Sequence, residues 1–431
     1  MALDLSRLLA EPVDARCKGF PYAAAPMPLR EVGRQGWNVL RGDCPFPVAV
    51  VRRSAMQANS AWMREFTRST GVRIAPHGKT TMCPQIFARQ IDDGAWGITV
   101  ANVRQLDLCV AIGAKRVLVA NQVLAPLDVA RLATLVNRDR ALEIFFLVDS
   151  LDQLAIVDAE LRRHELVRPL AVLLEIGYEG GRTGVRSCAE ALALARTIAA
   201  SPAVALSGIE CYEGLLVADS DRDRARVEEL LAGVRAVAAA CDAERLFAGP
   251  EVILSAGGSA AFDIVARDLP LRLSKLVTII LRSGCYITHD TGTYERLFER
   301  VRERSGEPWR SAPGLTPALE VWSQVQSRPE RGLAILTMGR RDASFDADLP
   351  RPIKWFRSGL HAAPASAPAA WQVVKLNDQH AYLRVPEDAD LKVGDLVGCG
   401  ISHPCTTFDK WQLLLEVDDG YTVVEGLRTF F

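Results

Sequence analysis

The stretch GVRIAPHGKTTMCP holds the first chemistry in the chain. His77, Gly78 and Lys79 follow a short apolar run, and the segment after them can open a helix. Pro84 sits where a first helical turn tolerates proline. A lysine held at the end of a strand can form a Schiff base with a carbonyl cofactor or substrate. That role needs a neutral amine, which burial or a neighbouring positive charge promotes. A solvated surface lysine is the plain alternative. His77 either meets a cofactor oxygen or ring, or only orders the turn.

Further candidates recur after later apolar runs. In GYEGGRTGV, Arg182 has glycines on both sides, so backbone and ligand can approach closely. It can bond a ring nitrogen or a phenolate oxygen, or be a surface arginine. In ECYEG, Tyr212 can stack or hydrogen-bond in a mouth, or pack in a loop. SAGGS sets Gly257, Gly258 and Ser259 in a turn before a helix, where successive N–H groups suit a phosphate. In RSGCYITHD, Gly284 and Tyr286 can close over that phosphate from the other side, while His289 and Asp290 receive no role. His380 in NDQHAYL is likewise unassigned.

GISHPCTTFD places His403 and Cys405 two apart. In extended backbone such residues face one side. Imidazole with thiolate suits zinc, although two ligands are fewer than a catalytic zinc site has. A turn histidine beside a half-buried thiol is the alternative.

The elements that must position these groups follow a rhythm. Apolar runs stand at 72–75, 96–100, 116–120, 143–148, 171–176, 204–209, 251–255 and 275–280, with amphipathic helical stretches between them. Eight such units predict a closed parallel (β/α)8 barrel, and the absence of GxGxxG after the first run disfavours an open doubly wound sheet. Beyond residue 290 short strand candidates such as LAILTM, WQVVKL and WQLLLEV alternate with turn residues, which predicts an antiparallel β domain. The expected division is an N-terminal segment 1–45 packing with the β domain, a barrel over 46–290 and the β domain over 291–431. HAAPASAPAA (361–370) reads as a loop, and no internal repeat stands out.

With 431 residues and 24% charged residues the chain has a globular composition. A net charge of -1 gives no electrostatic case for nucleic acid or a membrane surface. Ten scattered cysteines read as reduced thiols in a cytoplasm. Neither a secretion signal nor a membrane span is expected.

PHGKTTMCP, AWGITVAN, EIGYEGGRTGV, SAGGS and GISHPCTTFD, in that order, resemble the D-serine dehydratase and D-threonine aldolase family, which shares the alanine-racemase type of barrel. The likeness runs over roughly residues 45–431. It implies pyridoxal phosphate on Lys79, zinc on His403 and Cys405, and a homodimer in which one subunit's β domain helps cover the other's barrel. The aldolase branch typically has an aspartate where this chain has Cys405, so the His-x-Cys pair resembles the dehydratase branch. The implied reaction is loss of water from D-serine or D-threonine, giving a 2-oxo acid and ammonia. The alternatives are D-threonine aldolase, a racemase of the same barrel type and a non-catalytic pyridoxal-phosphate binder.

Overall fold

The structure is a computed structural model that describes residues 2–216, 220–307 and 309–431. Eight parallel strands form the barrel: Arg73–Ile74, Ile98–Val100, Arg116–Gln122, Glu143–Val148, Leu170–Ile176, Val204–Cys211, Glu251–Ala256 and Leu276–Leu281. Each pairs with the next in sequence from the second to the eighth, the eighth pairs with the first, and a parallel bridge from His77 to Thr99 closes the circle. All eight apolar runs are therefore barrel strands.

Period-two register explains why these runs are apolar throughout. Outward residues such as Val117, Phe146, Val172, Leu174, Val252 and Leu254 pack in the main core. Inward residues Ala75, Leu118, Phe145, Leu147, Leu173, Ile253 and Ile280 form a separate buried plug inside the barrel. Both faces of a barrel strand are dry, so neither carries polar alternation.

The second sheet is antiparallel for most of its length. Its central strand, Leu319–Glu330, pairs with Leu396–Gly400, with Leu333–Leu336 and with Val48–Arg52. Val48–Arg52 also runs parallel to Leu413–Val417, which pairs with Val423–Arg428. The run VAVVRR, placed with the barrel by the boundary at 46, thus joins the β domain instead. The segment before it packs there too: Leu8, Val13, Phe20, Leu29, Val32 and Val39 share a core with Trp322, Leu413 and Leu415.

Two details differ from the sequence reading of the β region. A helix, Thr293–Arg304, stands at its start and buries Leu297, Phe298 and Val301. That spacing is helical, but its sparse apolar stripe is easily hidden in the charged run TYERLFERVRER. Within HAAPASAPAA, Ala365–Ser366 pairs as a short edge strand with Trp355 and Lys354. Among the described residues no helix is long and apolar enough to cross a membrane.

Candidate active site

Lys79 lies in a short 3-10 turn, Gly78–Thr80, just past the first barrel strand, and the helix Pro84–Asp92 follows with proline in its first turn. Gly78 is required by close packing: a Cβ there would stand 2.9 Å from Phe87 Cζ and 3.3 Å from Ile98 Cγ2. The β domain grips this helix. Arg89 donates to Glu416 at 2.9 and 2.6 Å and to Glu425 at 2.5 Å. Gln85 donates to Gly426 O at 2.7 Å, and Phe430 N donates to Met82 O at 3.0 Å. The lysine loop is therefore held between both domains.

A pocket at the barrel mouth is lined by His77, Lys79, Asn121, Arg182, Glu210, Tyr212, Gly258 and Arg282. Five of these, His77, Lys79, Arg182, Tyr212 and Gly258, are residues the motifs single out. Lys79 presents an accessible side chain to the pocket, yet the surrounding protein partly desolvates it. That desolvation lowers its pKa first; Arg182 and Arg282 push the same way, and the thiols of Cys405 and Cys285 oppose them. Burial, then Lys79, keeps His77 neutral, with its pKa well below the usual value. The Arg182 guanidinium lies over the Tyr212 ring, 4.9 Å from its centroid.

Glu210, Arg282 and Asn121 line the pocket without having been singled out from sequence. Asn121 sits at a register irregularity of its strand, which period-two spacing does not foresee. For Glu210 and Arg282 the signal is register. In a strand, residues two apart face one side, so the inward apolar residues Leu173, Gly208, Ile253 and Ile280 lead to Glu175, Glu210, Ser255 and Arg282. The plug thus ends in a polar layer of Glu175, Glu210, Ser255 and Arg282 under the pocket. Arg282 is bonded to Glu210 and donates to Cys211 O at 2.7 Å.

Gly257 and Gly258 offer their N–H groups to an anion, but a protein carboxylate takes them. Gly257 N donates to Glu213 at 3.1 Å and Gly258 N at 2.5 Å. The motif predicts an anion nest without saying which anion fills it, and Glu213 is fully buried beside it. Ser259 and Gly284 remain at this rim. Ser259 lines a small adjoining cavity with Ser283, Cys285 and Tyr294. Gly284 is packed against the lysine loop, where a Cβ would stand 2.5 Å from His77 O. Tyr286 is buried, and its hydroxyl accepts from Gln90 at 3.3 Å, which turns it away from the pocket. Its ring also borders the small cavity.

Cys405, from the same chain, reaches this rim. Its Sγ lies 3.5 Å from Thr80 Oγ1 and 3.7 Å from Cys285 Sγ. His403 contacts Cys405 and shares a 2.5 Å hydrogen bond between its Nδ1 and Asp346. Contact with Cys405, then with Asp346, lifts the His403 pKa to about 9 despite burial. All ten cysteines are free. Cys405 begins a short helix, Cys405–Phe408, so the extended backbone assumed for the pair gives way to a turn that still brings the side chains together.

The unassigned residues have structural places. His289 and Asp290 are buried at the junction before helix Thr293–Arg304, where Asp290 accepts from Gly292 N at 3.1 Å and Glu295 N at 3.0 Å. The His380 carbonyl accepts from Asn377 N at 2.9 Å in a hairpin turn.

The donor set tests the two implied groups. For pyridoxal phosphate the pocket supplies a lysine with a lowered pKa and two buried polar atoms, His77 Nδ1 and Glu210 Oε1, that have no hydrogen-bond partner among the described residues. That chemistry fits an aromatic aldehyde bearing ring heteroatoms. For zinc, one imidazole stands beside one thiol, and its Nδ1 is held by a carboxylate, a common support of a metal-bound histidine. Among the described residues no group of three or more His, Cys, Asp or Glu side chains is arranged to hold a metal ion.

Comparison with known proteins agrees with this geometry. The alanine racemase N-terminal domain matches residues 51–269, just over half of the chain. The chain belongs to that family. A putative serine dehydratase domain matches residues 318–417. The chain is 26% identical over 383 residues to a D-threonine aldolase of Arthrobacter sp, covering 88% of this chain and 90% of that one. It is 28% identical over 261 residues to a D-threo-3-hydroxyaspartate dehydratase of Delftia sp. strain HT23, covering 54% and 67%. A solved D-threonine aldolase from Filomicrobium marinum superposes with a TM-score of 0.74 at 22% identity, over 90% of this chain and 95% of that one. This member of the alanine racemase family is an enzyme of the kind that uses pyridoxal phosphate.

Proposed function

We propose that the chain is a zinc-assisted, pyridoxal-phosphate-dependent dehydratase that converts D-serine or D-threonine to the 2-oxo acid and ammonia. The observation that carries this reading is the approach of Cys405 to the lysine loop, 3.5 Å from Thr80 Oγ1, with His403 beside it. Lys79, His77, Arg182, Tyr212, Arg282, Ser259 and Gly284 would hold the cofactor, and His403 and Cys405 the metal. When bound, pyridoxal phosphate supplies an electron sink at Cα and zinc a Lewis acid for the β-hydroxyl.

The side chains divide the remaining work. Lys79 Nζ, whose pKa its crowded and positive surroundings lower, would take the α-proton. Arg182, an exposed cation at the pocket, orients an anionic oxygen. His77 stays neutral and accepts or donates one hydrogen bond without adding charge. His403 and Cys405 would hold the metal that assists departure of the β-hydroxyl as water.

The likeness to the D-threonine aldolase of Arthrobacter sp favours a second reading, retro-aldol cleavage of D-threonine to glycine and acetaldehyde. The experiment that separates them is product analysis on D- and L-β-hydroxy amino acids, with and without chelator. Ammonia with 2-oxobutanoate from D-threonine supports the dehydratase, and glycine with acetaldehyde refutes it. Interconversion of D and L forms without ammonia identifies a racemase. The reading includes a cytoplasmic homodimer. Exposed Leu124, Leu127, Leu151 and Leu215 near the barrel mouth support a covering partner, and sedimentation at the mass of one chain would remove that part.

A further inference from the structure

Two cysteines that the proposed reaction does not use as a pair meet beside the lysine turn. Cys285 opens the turn Cys285–Ile287 after the eighth barrel strand, and Cys405 opens the short helix Cys405–Phe408 of the β domain. They are 120 positions apart, yet their sulfurs stand 3.7 Å from each other. Thr80, the neighbour of Lys79, touches both. Cys405 Sγ donates to its Oγ1 at 3.5 Å, and Cys285 Sγ lies 3.8 Å from the same oxygen. Both thiols are free.

Their surroundings differ in the way a redox pair requires. Cys405 is partly exposed, so a small oxidant can reach its sulfur from solvent. Cys285 is 5% exposed and stands in contact behind it. Where an accessible thiol has a second thiol at hand, the neighbour intercepts the sulfenic acid before it is oxidised further. A disulfide holds its sulfurs about 2.05 Å apart, so the gap must close by about 1.7 Å. Each cysteine is the first residue of its turn, and rotation about its Cα–Cβ bond moves the sulfur on that scale.

We propose that Cys285 and Cys405 are a redox-active pair, joined in a disulfide by a peroxide and reopened by a dithiol. Hydrogen peroxide takes an electron pair from the Cys405 sulfur; its O–O bond breaks, the sulfur becomes a sulfenic acid and one water leaves. The Cys285 sulfur then attacks that sulfur. The S–O bond breaks, the S–S bond forms, and the hydroxyl departs with the Cys285 proton as a second water. Two thiols are oxidised and one peroxide is reduced. The sulfur that enters the disulfide is the one read as a zinc ligand, and a disulfide sulfur has no thiolate charge to give a metal. Oxidation therefore leaves His403 as the remaining ligand and removes the S–H that Thr80 accepts. That consequence rests on the reading that His403 and Cys405 hold zinc, whereas the cross-link rests on the thiol geometry alone.

The test treats the full chain, loaded with pyridoxal phosphate and zinc, with hydrogen peroxide, alongside a sample stripped of metal by chelator. Remaining thiols are blocked with N-ethylmaleimide, and the digest is mapped by mass spectrometry without reductant. The expected result is a Cys285–Cys405 peptide pair, lighter by two hydrogens than its reduced parts and separated again by dithiothreitol. Zinc should be released in step with it, as read by a chromogenic chelator, and the stripped sample should cross-link faster. Cys285→Ser should lack the pair and carry Cys405 as a sulfinic or sulfonic acid that dithiothreitol does not restore. Wild-type Cys405 left unreacted, over-oxidised or linked to another cysteine in both samples overturns the proposal, whether or not the variant folds. A Cys285–Cys405 link that forms at one rate in both samples and leaves zinc bound upholds the pair and overturns Cys405 as a zinc ligand.

Discussion

Glu416 offers the sharpest test of how the β domain holds the lysine loop. Its carboxylate is fully buried and accepts from Arg53 at 3.0 and 3.1 Å and from Arg89 at 2.9 and 2.6 Å. Arg89 lies on the helix that follows Lys79, and Glu416 on strand Leu413–Val417 of the β domain. Glu416→Ala removes one partner of a buried network and leaves two guanidinium groups facing each other. Truncating one side of such a pair costs about 3–5 kcal/mol, far more than the ~0–1 kcal/mol of an exposed pair. The expected result is a lower urea midpoint by tryptophan fluorescence, together with faster loss of bound cofactor as the lysine helix loosens. Hydrogen bonds from the arginines hold the Glu416 carboxyl below its usual pKa despite burial. A depressed folded pKa gives stability that is present above the unfolded value near ~4.3 and is lost as pH falls through the folded one. The difference between wild type and Glu416→Ala should therefore shrink below about pH 4. A loss under about 1 kcal/mol at neutral pH, or a difference unchanged in acid, would refute the claim that this carboxylate clamps the domains.

Other consequences are more local. Lys79→Ala should abolish the visible absorption of bound pyridoxal phosphate and turnover; retention of both would remove Lys79 from the mechanism. Cys405→Ala should lower zinc content and dehydration while keeping the cofactor, as read by elemental analysis alongside absorbance; full turnover in metal-stripped protein would refute the zinc role. Gly78→Ala forces Phe87 aside and should cost about 1–3 kcal/mol, with turnover falling as the lysine shifts; wild-type turnover would mean that the loop yields freely. Because Arg182 helps depress Lys79, Arg182→Gln should move the ascending limb of the pH–rate profile to higher pH, and an unmoved limb would contradict that coupling.

The eight barrel strands were legible because each is buried on both faces and so reads as an unbroken apolar run. Lys79, Arg182, Tyr212 and the SAGGS turn were legible for a related reason: each follows such a run, where a parallel barrel gathers its strand ends. Pair contacts between distant segments were not legible. Glu210 and Arg282 lie 72 positions apart, and only the barrel's register turns both inward. Cys285 meets Cys405 across 120 positions, because the β domain folds back over the lysine loop.

SAGGS shows the same division within one motif. Sequence determined a turn with free N–H groups; the neighbouring strand end decided that Glu213 would occupy two of them. Composition, periodicity and turn residues are local, so they determined the barrel, the β domain and the chemistry available at each strand end. Which of those groups share a pocket, which are already paired and which are left open to a ligand depends on the angle and depth at which distant strands meet. Only the tertiary structure decided that.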